Sequence, residues 1–291
     1  MPGCRAGLSR RCSRQSWRVE ACAPSVFLTV PALRLPCSRS QPPTSAAATA
    51  PGLIPVALSL VSCYALALDP NEEIVPDTVK PEFLVYAATW QPSFCARSPT
   101  VAGCDDLERG FLAHGIWPYN KSTEQKTNRH PQFCANSAAC KGEACPMTDK
   151  AMEDVLGNKD LRKLVTKEPQ GMFAHEWKKH GTCTGKTMEG YFDDLANLYS
   201  DIIQYDEAMF SAWVGKGAEF ASIKKAFPDN TSFRCFVHNE QQYLHEVFYL
   251  IDSAGQPYTE EKHLQIGIAC QDKYTLIPAP SSMTAAAKPQ S

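Results

Sequence analysis

Eight cysteines, Cys95, Cys104, Cys134, Cys140, Cys145, Cys183, Cys235 and Cys270, are spread over residues 69–291. An even set of this size predicts four disulfides and an oxidising compartment. Each bridge restricts the unfolded chain and contributes roughly 2–4 kcal/mol. Zinc is a poor alternative. No C-x2-C pair occurs, and Cys140 and Cys145 have four residues between them with no matching second pair.

The other five cysteines, Cys4, Cys12, Cys22, Cys37 and Cys63, belong to a segment of different composition. Residues 1–68 carry seven arginines, no lysine and a single acid, Glu20. Within it Leu53 to Leu68, "LIPVALSLVSCYALAL", is uncharged. It is shorter than the roughly 20 residues of a membrane span. Ala65-Leu66-Ala67 then resembles a small-x-small cleavage site, followed by polar "DPNEE". Residues 1–68 are therefore expected to be a leader outside the fold. A signal fifty residues into the chain has three readings: a spurious first exon, a bipartite targeting segment, or a signal anchor. The first two are favoured.

Residues 69–291 hold 22 basic and 30 acidic side chains, a net charge of −8. Such a domain cannot coat nucleic acid through a general basic surface. A local cationic cleft is still compatible with a nucleic-acid enzyme. Residues 69–278 are expected to form one domain and residues 279–291 a disordered tail. Sequons at Asn120 and Asn230 give weak support for glycosylation and secretion.

Glu82 to Trp90, "EFLVYAATW", is an apolar run rich in β-formers, which predicts a strand buried on both faces. "PSFCARSPTVAGC" is expected to follow as a loop, and residues 119–147 as a long polar loop. Thr148 or Asp149 caps a helix that Gly157 and Asn158 interrupt. "EGYFDDLANLYSDIIQYD" has apolar residues three and four apart, an amphipathic helix. "AEFASIKKAFP" reads as another helix. "SFRCFVH", "YLHEVFYLID" and "LQIGIAC" read as strands. Helices in the middle with strands at both ends predict an α+β fold, a central mostly antiparallel sheet packed against helices.

Two stretches concentrate ionisable chemistry. In "MFAHEWKKHGTC", Met172 to Cys183, a helix turns about 100° per residue. With His175 as origin, Glu176, Lys179 and His180 lie at about 100°, 40° and 140°, on one face. Gly181 is expected to stop the helix and Trp177 to pack beneath it. The histidines are five apart, so they do not form the i, i+4 pair of a metalloprotease, and no metal is expected. In "FLAHGIWPYN", Phe111 to Asn120, His114 precedes Gly115, which permits close backbone approach. Trp117-Pro118 makes a rigid corner, and Trp117 and Tyr119 offer flat faces. Alone, each stretch also fits an ordinary helix end or core strand. Together they supply two imidazoles on two elements, as in-line phosphodiester acid/base chemistry requires.

"HGIWP" and "HEWKKHGTC" resemble the two signature segments of the ribonuclease T2 family, and "ATWQPSFC" resembles its N-terminal strand. The likeness runs over about residues 80–275. Ile116 departs from the family's usual leucine, a volume-conserving change. The resemblance implies a ribonuclease T2-type fold and an endoribonuclease that cleaves single-stranded RNA without a metal or other cofactor. The reaction passes through a 2′,3′-cyclic phosphate to a 3′-phosphate, and DNA, lacking the 2′-hydroxyl, is inert. By position, His180 is similar to the family's general base, His114 to its general acid and His175 to its phosphate binder. Glu176 and Lys179 resemble the pair that stabilises the transition state. Trp117, with Tyr119 beside it, is similar to the base-binding aromatics.

The family also implies bridges Cys95–Cys104 and Cys235–Cys270. It implies a bond from Cys183 to Cys134, Cys140 or Cys145, with the remaining two paired. His130, His238, His245 and His263 lie outside both signatures and are expected to be structural. The implied protein is a monomer, secreted or vacuolar/lysosomal, with no stable membrane association after processing. The alternative is a catalytically silent member of the fold that acts by binding or signalling.

Overall fold

The computed structural model describes residues 68–101, 103–104, 110–135 and 145–280. Residues 1–67 of the expected leader, Cys140 and residues 281–291 of the expected tail lie outside the described residues. The strands are β1 (Glu72–Ile74), β2 (Phe83–Trp90), β3 (Phe111–Tyr119), β4 (Asn128–His130), β5 (Ala218–Glu219), β6 (Thr231–His238), β7 (Gln241–Ile251) and β8 (Tyr274–Leu276). The helices are α1 (Gln91–Arg97), α2 (Asp149–Gly157), α3 (Lys159–Lys163), α4 (Gln170–Lys179), α5 (Met188–Asn197), α6 (Tyr199–Ile202), α7 (Glu207–Ser211) and α8 (Phe220–Lys224). Among the described residues no helix is long and apolar enough to cross a membrane.

β2 pairs antiparallel with β3 on one side and with β7 on the other. β7 also pairs antiparallel with β6, while β8 runs parallel to its first half and joins it to β5. The result is the expected α+β architecture around a mostly antiparallel sheet. The apolar run of β2 is explained by two cores. Tyr86, Ala88 and Trp90 face the helices with Phe173, Trp177 and Phe192, whereas Phe83, Val85 and Ala87 face Trp117, Phe248 and Leu250. A strand covered on both faces has no polar alternation to show.

Two ladders carry an extra residue. Ala87 opposes Gly115 and Ala88 opposes Ala113, which leaves His114 unpaired in β3. Arg234 opposes Glu246 and Cys235 opposes Leu244, which leaves His245 unpaired in β7. Such bulges bend a strand and re-aim its side chains. Asn239 and Glu240 join β6 to β7 with φ of 47° and 64°, the backbone of a tight two-residue hairpin.

Local chemistry sets the helix ends. The Thr148 hydroxyl accepts a bond from the Ala151 amide and starts α2. The Asn158 carbonyl accepts from Asp160 and Leu161, so one residue ends α2 and caps α3. Four expectations need correction. "PSFCARS" forms α1, because Pro92 fits the first turn of a helix. The polar 119–147 stretch contains β4, paired in parallel with β1, with Asn128 and His130 buried. The long amphipathic helix breaks at Leu198 into α5 and α6. "LQIGIAC" is no regular strand: Gly267 has φ +65°, and the segment is tied to β6 by an Arg234–Ala269 bridge and the Cys235–Cys270 disulfide.

Cys95 bonds Cys104, and Cys183 takes Cys134 from its three candidates. Cys145 is also disulfide-bonded. Both sequon asparagines are buried. The Asn120 amide donates to the Lys80 carbonyl at 3.2 Å and the Asn230 amide to the Leu250 carbonyl at 2.7 Å.

Candidate active site

α4 and the bulge of β3 meet at a glycine. A Cβ on Gly115 would lie 2.1 Å from Glu176 Oε2, so only glycine leaves room for that carboxylate. Glu176 is almost fully buried there. Its Oε2 accepts the Trp117 indole N–H at 2.5 Å, and its Oε1 lies 3.3 Å from His114 Nε2. The other nitrogen of His114, Nδ1, is 2.6 Å from Glu246 Oε1. Glu246 is itself held from two sides: Thr89 donates to Oε1 at 3.1 Å and Arg234 to Oε2 at 2.8 Å.

His180 caps the C-terminal end of α4. The helix ends just before Gly181, as expected. Gly181 opens a 3-10 turn, and its missing side chain makes room for the Trp177 ring, which a Cβ would meet at 2.4 Å. The His180 imidazole stacks on Trp117 with centroids 4.8 Å apart and planes 23° from parallel. His114 contacts the same indole edge-on at 5.4 Å. Trp117 therefore touches both imidazoles.

A cleft of about 210 Å³ is lined by His114, Trp117, His175, Glu176, Lys179 and His180. A second, of about 890 Å³, shares His114, His175, Glu176 and Arg234 and extends past Thr89, Phe94 and Met172. The shared residues form the wall between the two. Among the described residues no group of three His, Cys, Asp or Glu side chains is placed to hold a metal ion.

The two imidazoles are pushed in opposite directions. Burial disfavours a charge on His114, but the Glu176 and Glu246 carboxylates outweigh it and raise the pKa from 6.5 to about 10. Burial alone would raise the pKa of Glu246; His114, then His245 and Arg234, hold it far below the usual carboxylate range. Around His180, burial and then the Lys179 cation both disfavour charge and depress the pKa well below 6.5. Burial lowers His175 too, against the pull of Glu176.

All seven of the expected catalytic and substrate-binding residues, His114, Trp117, Tyr119, His175, Glu176, Lys179 and His180, thus line one cleft. The two aromatics do not offer the expected free faces. Trp117 is 5% exposed between His180 and Phe248, and Tyr119 is 1% exposed. The Tyr119 hydroxyl donates to Asn128 and its ring stacks on His130, so the side chain is tied into the core where it lines the cleft. The sequence expectation missed Glu246, Arg234, Glu72 and His130. Glu246 had a signal: it is the lone acid inside the apolar strand "YLHEVFYLI", and a buried acid is rarely without a task. The same holds for Arg234 in "SFRCFV". His245, expected to be structural, lines the larger cleft, stacked against Phe94.

Several known proteins are similar to this chain. An intracellular ribonuclease LX of Solanum lycopersicum is 24% identical over 208 residues, 66% of this chain and 82% of that protein. A ribonuclease of Aeromonas hydrophila is 27% identical over 126 residues, and the chain spans about half of that relative's length, 46%. Among solved structures, RNase NT in complex with 5′-AMP superposes with a TM-score of 0.49 at 18% identity, over 67% of this chain and 97% of that one. The model of the Ribonuclease T2 family matches residues 81–270, which include both signature segments, the bulge at His114 and Glu246. The chain belongs to the ribonuclease T2 family.

Proposed function

We propose that this protein is an endoribonuclease that cleaves single-stranded RNA by acid/base transesterification. One observation carries the reading: two imidazoles line one cleft, one between two carboxylates that favour its charged form and one buried beside a lysine that disfavours it. Environments that push two titratable groups apart assign the acid and the base. Neutral His180 takes the proton of the 2′-hydroxyl. Cationic His114 gives its proton to the departing 5′-oxygen. The nucleophile belongs to the substrate, so the protein supplies none.

As the 2′-oxygen attacks, charge builds on the phosphoryl oxygens. Lys179 and His175 line the cleft and supply cationic and hydrogen-bonding groups there. Glu176 holds Trp117 and His114 in register. The cyclic phosphate then hydrolyses to a 3′-phosphate with the two imidazoles in exchanged roles. The larger cleft, with Phe94 and Met172 on its wall, is wide enough for a base beside the scissile phosphate. All these groups come from one chain, so a monomer is complete. The disulfides fit passage through the secretory pathway to the exterior or to a vacuole or lysosome.

The test is product analysis on a panel of dinucleoside phosphates in excess chelator. A 2′,3′-cyclic phosphate followed by a 3′-phosphate is expected, with no cleavage of the 2′-deoxy panel. Products ending in 5′-phosphate, or cleavage of the deoxy panel, overturn the mechanism.

A further inference from the structure

A second histidine stands behind the base side of the cleft. β1 and β4 pair with Glu72 opposite Asn128 and Ile74 opposite His130. Glu72 Oε1 lies 2.8 Å from His130 Nε2. The His130 ring is 2% exposed and stacks on Tyr119 at 5.0 Å. Its centroid is 5.9 Å from that of His180, and both rings line the smaller cleft, as does Glu72.

The hydrogen-bonding needs of the two rings are complementary. Burial lowers the His130 pKa and so favours the neutral ring, although Glu72 opposes this. A neutral ring donating from Nε2 to Glu72 carries a lone pair on Nδ1. That Nδ1 is buried, and among the described residues it has no hydrogen-bond partner. His180 Nδ1 is buried in the same condition. A base that collects a proton on Nε2 must already carry hydrogen on Nδ1. One buried donor and one buried acceptor, each lacking a partner, therefore lie on neighbouring rings, and buried polar groups are rarely left so.

We propose that Glu72 and His130 are a positioning pair for His180. As the rings turn edge to edge, His130 Nδ1 accepts the Nδ1–H of His180, and Glu72 fixes His130 in the accepting tautomer. The inference rests on His180 being the base. When His180 takes the 2′-hydroxyl proton at Nε2, the positive charge stays on His180 and no proton passes to Glu72. Burial and the Lys179, His130, His175 and His114 groups oppose this charge, and the Glu72 carboxylate, one ring away, offsets them.

The experiment compares the folded wild type with Glu72→Gln and His130→Phe, reading the His180 imidazole titration by NMR and the pH dependence of kcat/KM on a dinucleoside phosphate. Each variant is expected to lower the His180 pKa and to move the acidic limb of kcat/KM to lower pH. A weaker base also lowers the plateau about tenfold through kcat, with KM unchanged. The double variant is expected to be no worse than His130→Phe, the mark of one shared path. If His130→Phe fails to fold, the isosteric Glu72→Gln decides alone. An unmoved His180 titration overturns the pairing. The two readings fail separately: activity retained in His180→Ala removes the base assignment, whereas an unmoved His180 titration with His180→Ala inactive removes only the positioning pair.

Discussion

His114 and His180 are one side chain in two surroundings. His114 stands on a bulged strand between two buried carboxylates, still partly open to solvent. His180 ends a helix against an indole, next to a lysine, sealed almost completely. Carboxylates are in direct contact with His114, whereas the charged group that weighs most on His180 is the Lys179 cation. The first surroundings favour a charged imidazole and the second a neutral one. Proximity alone would not achieve this. Two histidines in matched surroundings would share the singly protonated form between them, with no preference for which ring holds the proton.

The strongest way to break the comparison is to delete either ring. His180→Ala and His114→Ala are each expected to reduce kcat/KM on RNA by about 10²–10⁴-fold, measured as initial rates in folded protein. A variant with ordinary activity removes that ring from the chemistry.

Gly115→Ala comes next. The added methyl would occupy the space of the Glu176 carboxylate and displace it from both Trp117 and His114. Misplacement on this scale costs about 10²-fold. Circular dichroism should show the fold retained while the rate falls.

Glu246→Gln sharpens the contrast on the acid side only. Loss of one carboxylate lowers the His114 pKa, so the alkaline limb of kcat/KM should move down by about 1–3 units. The acidic limb, set by His180, should stay below pH 6.5. The same linkage acts on stability. The folded pKa of His114 is raised, so its contribution is complete below about pH 6.5 and is lost as pH rises toward about 10. Denaturant unfolding at pH 6 and pH 10 should show the wild type losing more stability over that interval than Glu246→Gln.

Trp117→Phe is the mildest change. It keeps a ring in contact with both imidazoles and deletes the N–H donated to Glu176. A hydrogen bond to a charged group is worth about 1.5–3 kcal/mol, and stability should fall within that range. A ring of similar shape should leave the pH profile in place.

Much of this was legible in the sequence, and the reason is local. His175, Glu176, Lys179 and His180 lie within one helical stretch, where periodicity alone brings side chains together. His114, Gly115 and Trp117 are equally close in the chain. The residues that tune those groups come from elsewhere. Glu246 and Arg234 reach His114 through strand pairing, and Glu72 joins His130 through a short parallel ladder. No spacing rule links residues 114 and 246. The stretch "TNRHPQF" looks polar because its pairing partner lies over fifty residues upstream. Pro92 marked the end of β2 correctly, yet it also opens a helix, since proline suits a first turn as well as a loop.

The two bulges bear on how such a site tolerates change in length. In β3, Ala113 and Ile116 face the helical core, although they are three apart; in β7, so do Leu244 and Val247. Each strand changes the parity of its faces at the level of the cleft. Removing His114 or His245 outright would give a more regular ladder and keep each flanking apolar segment on the face it already covers. The pocket would be lost with little penalty to the sheet. Single-residue deletions here should thus part folding from activity more cleanly than most substitutions, because these two strands are each one residue longer than their hydrogen bonding requires.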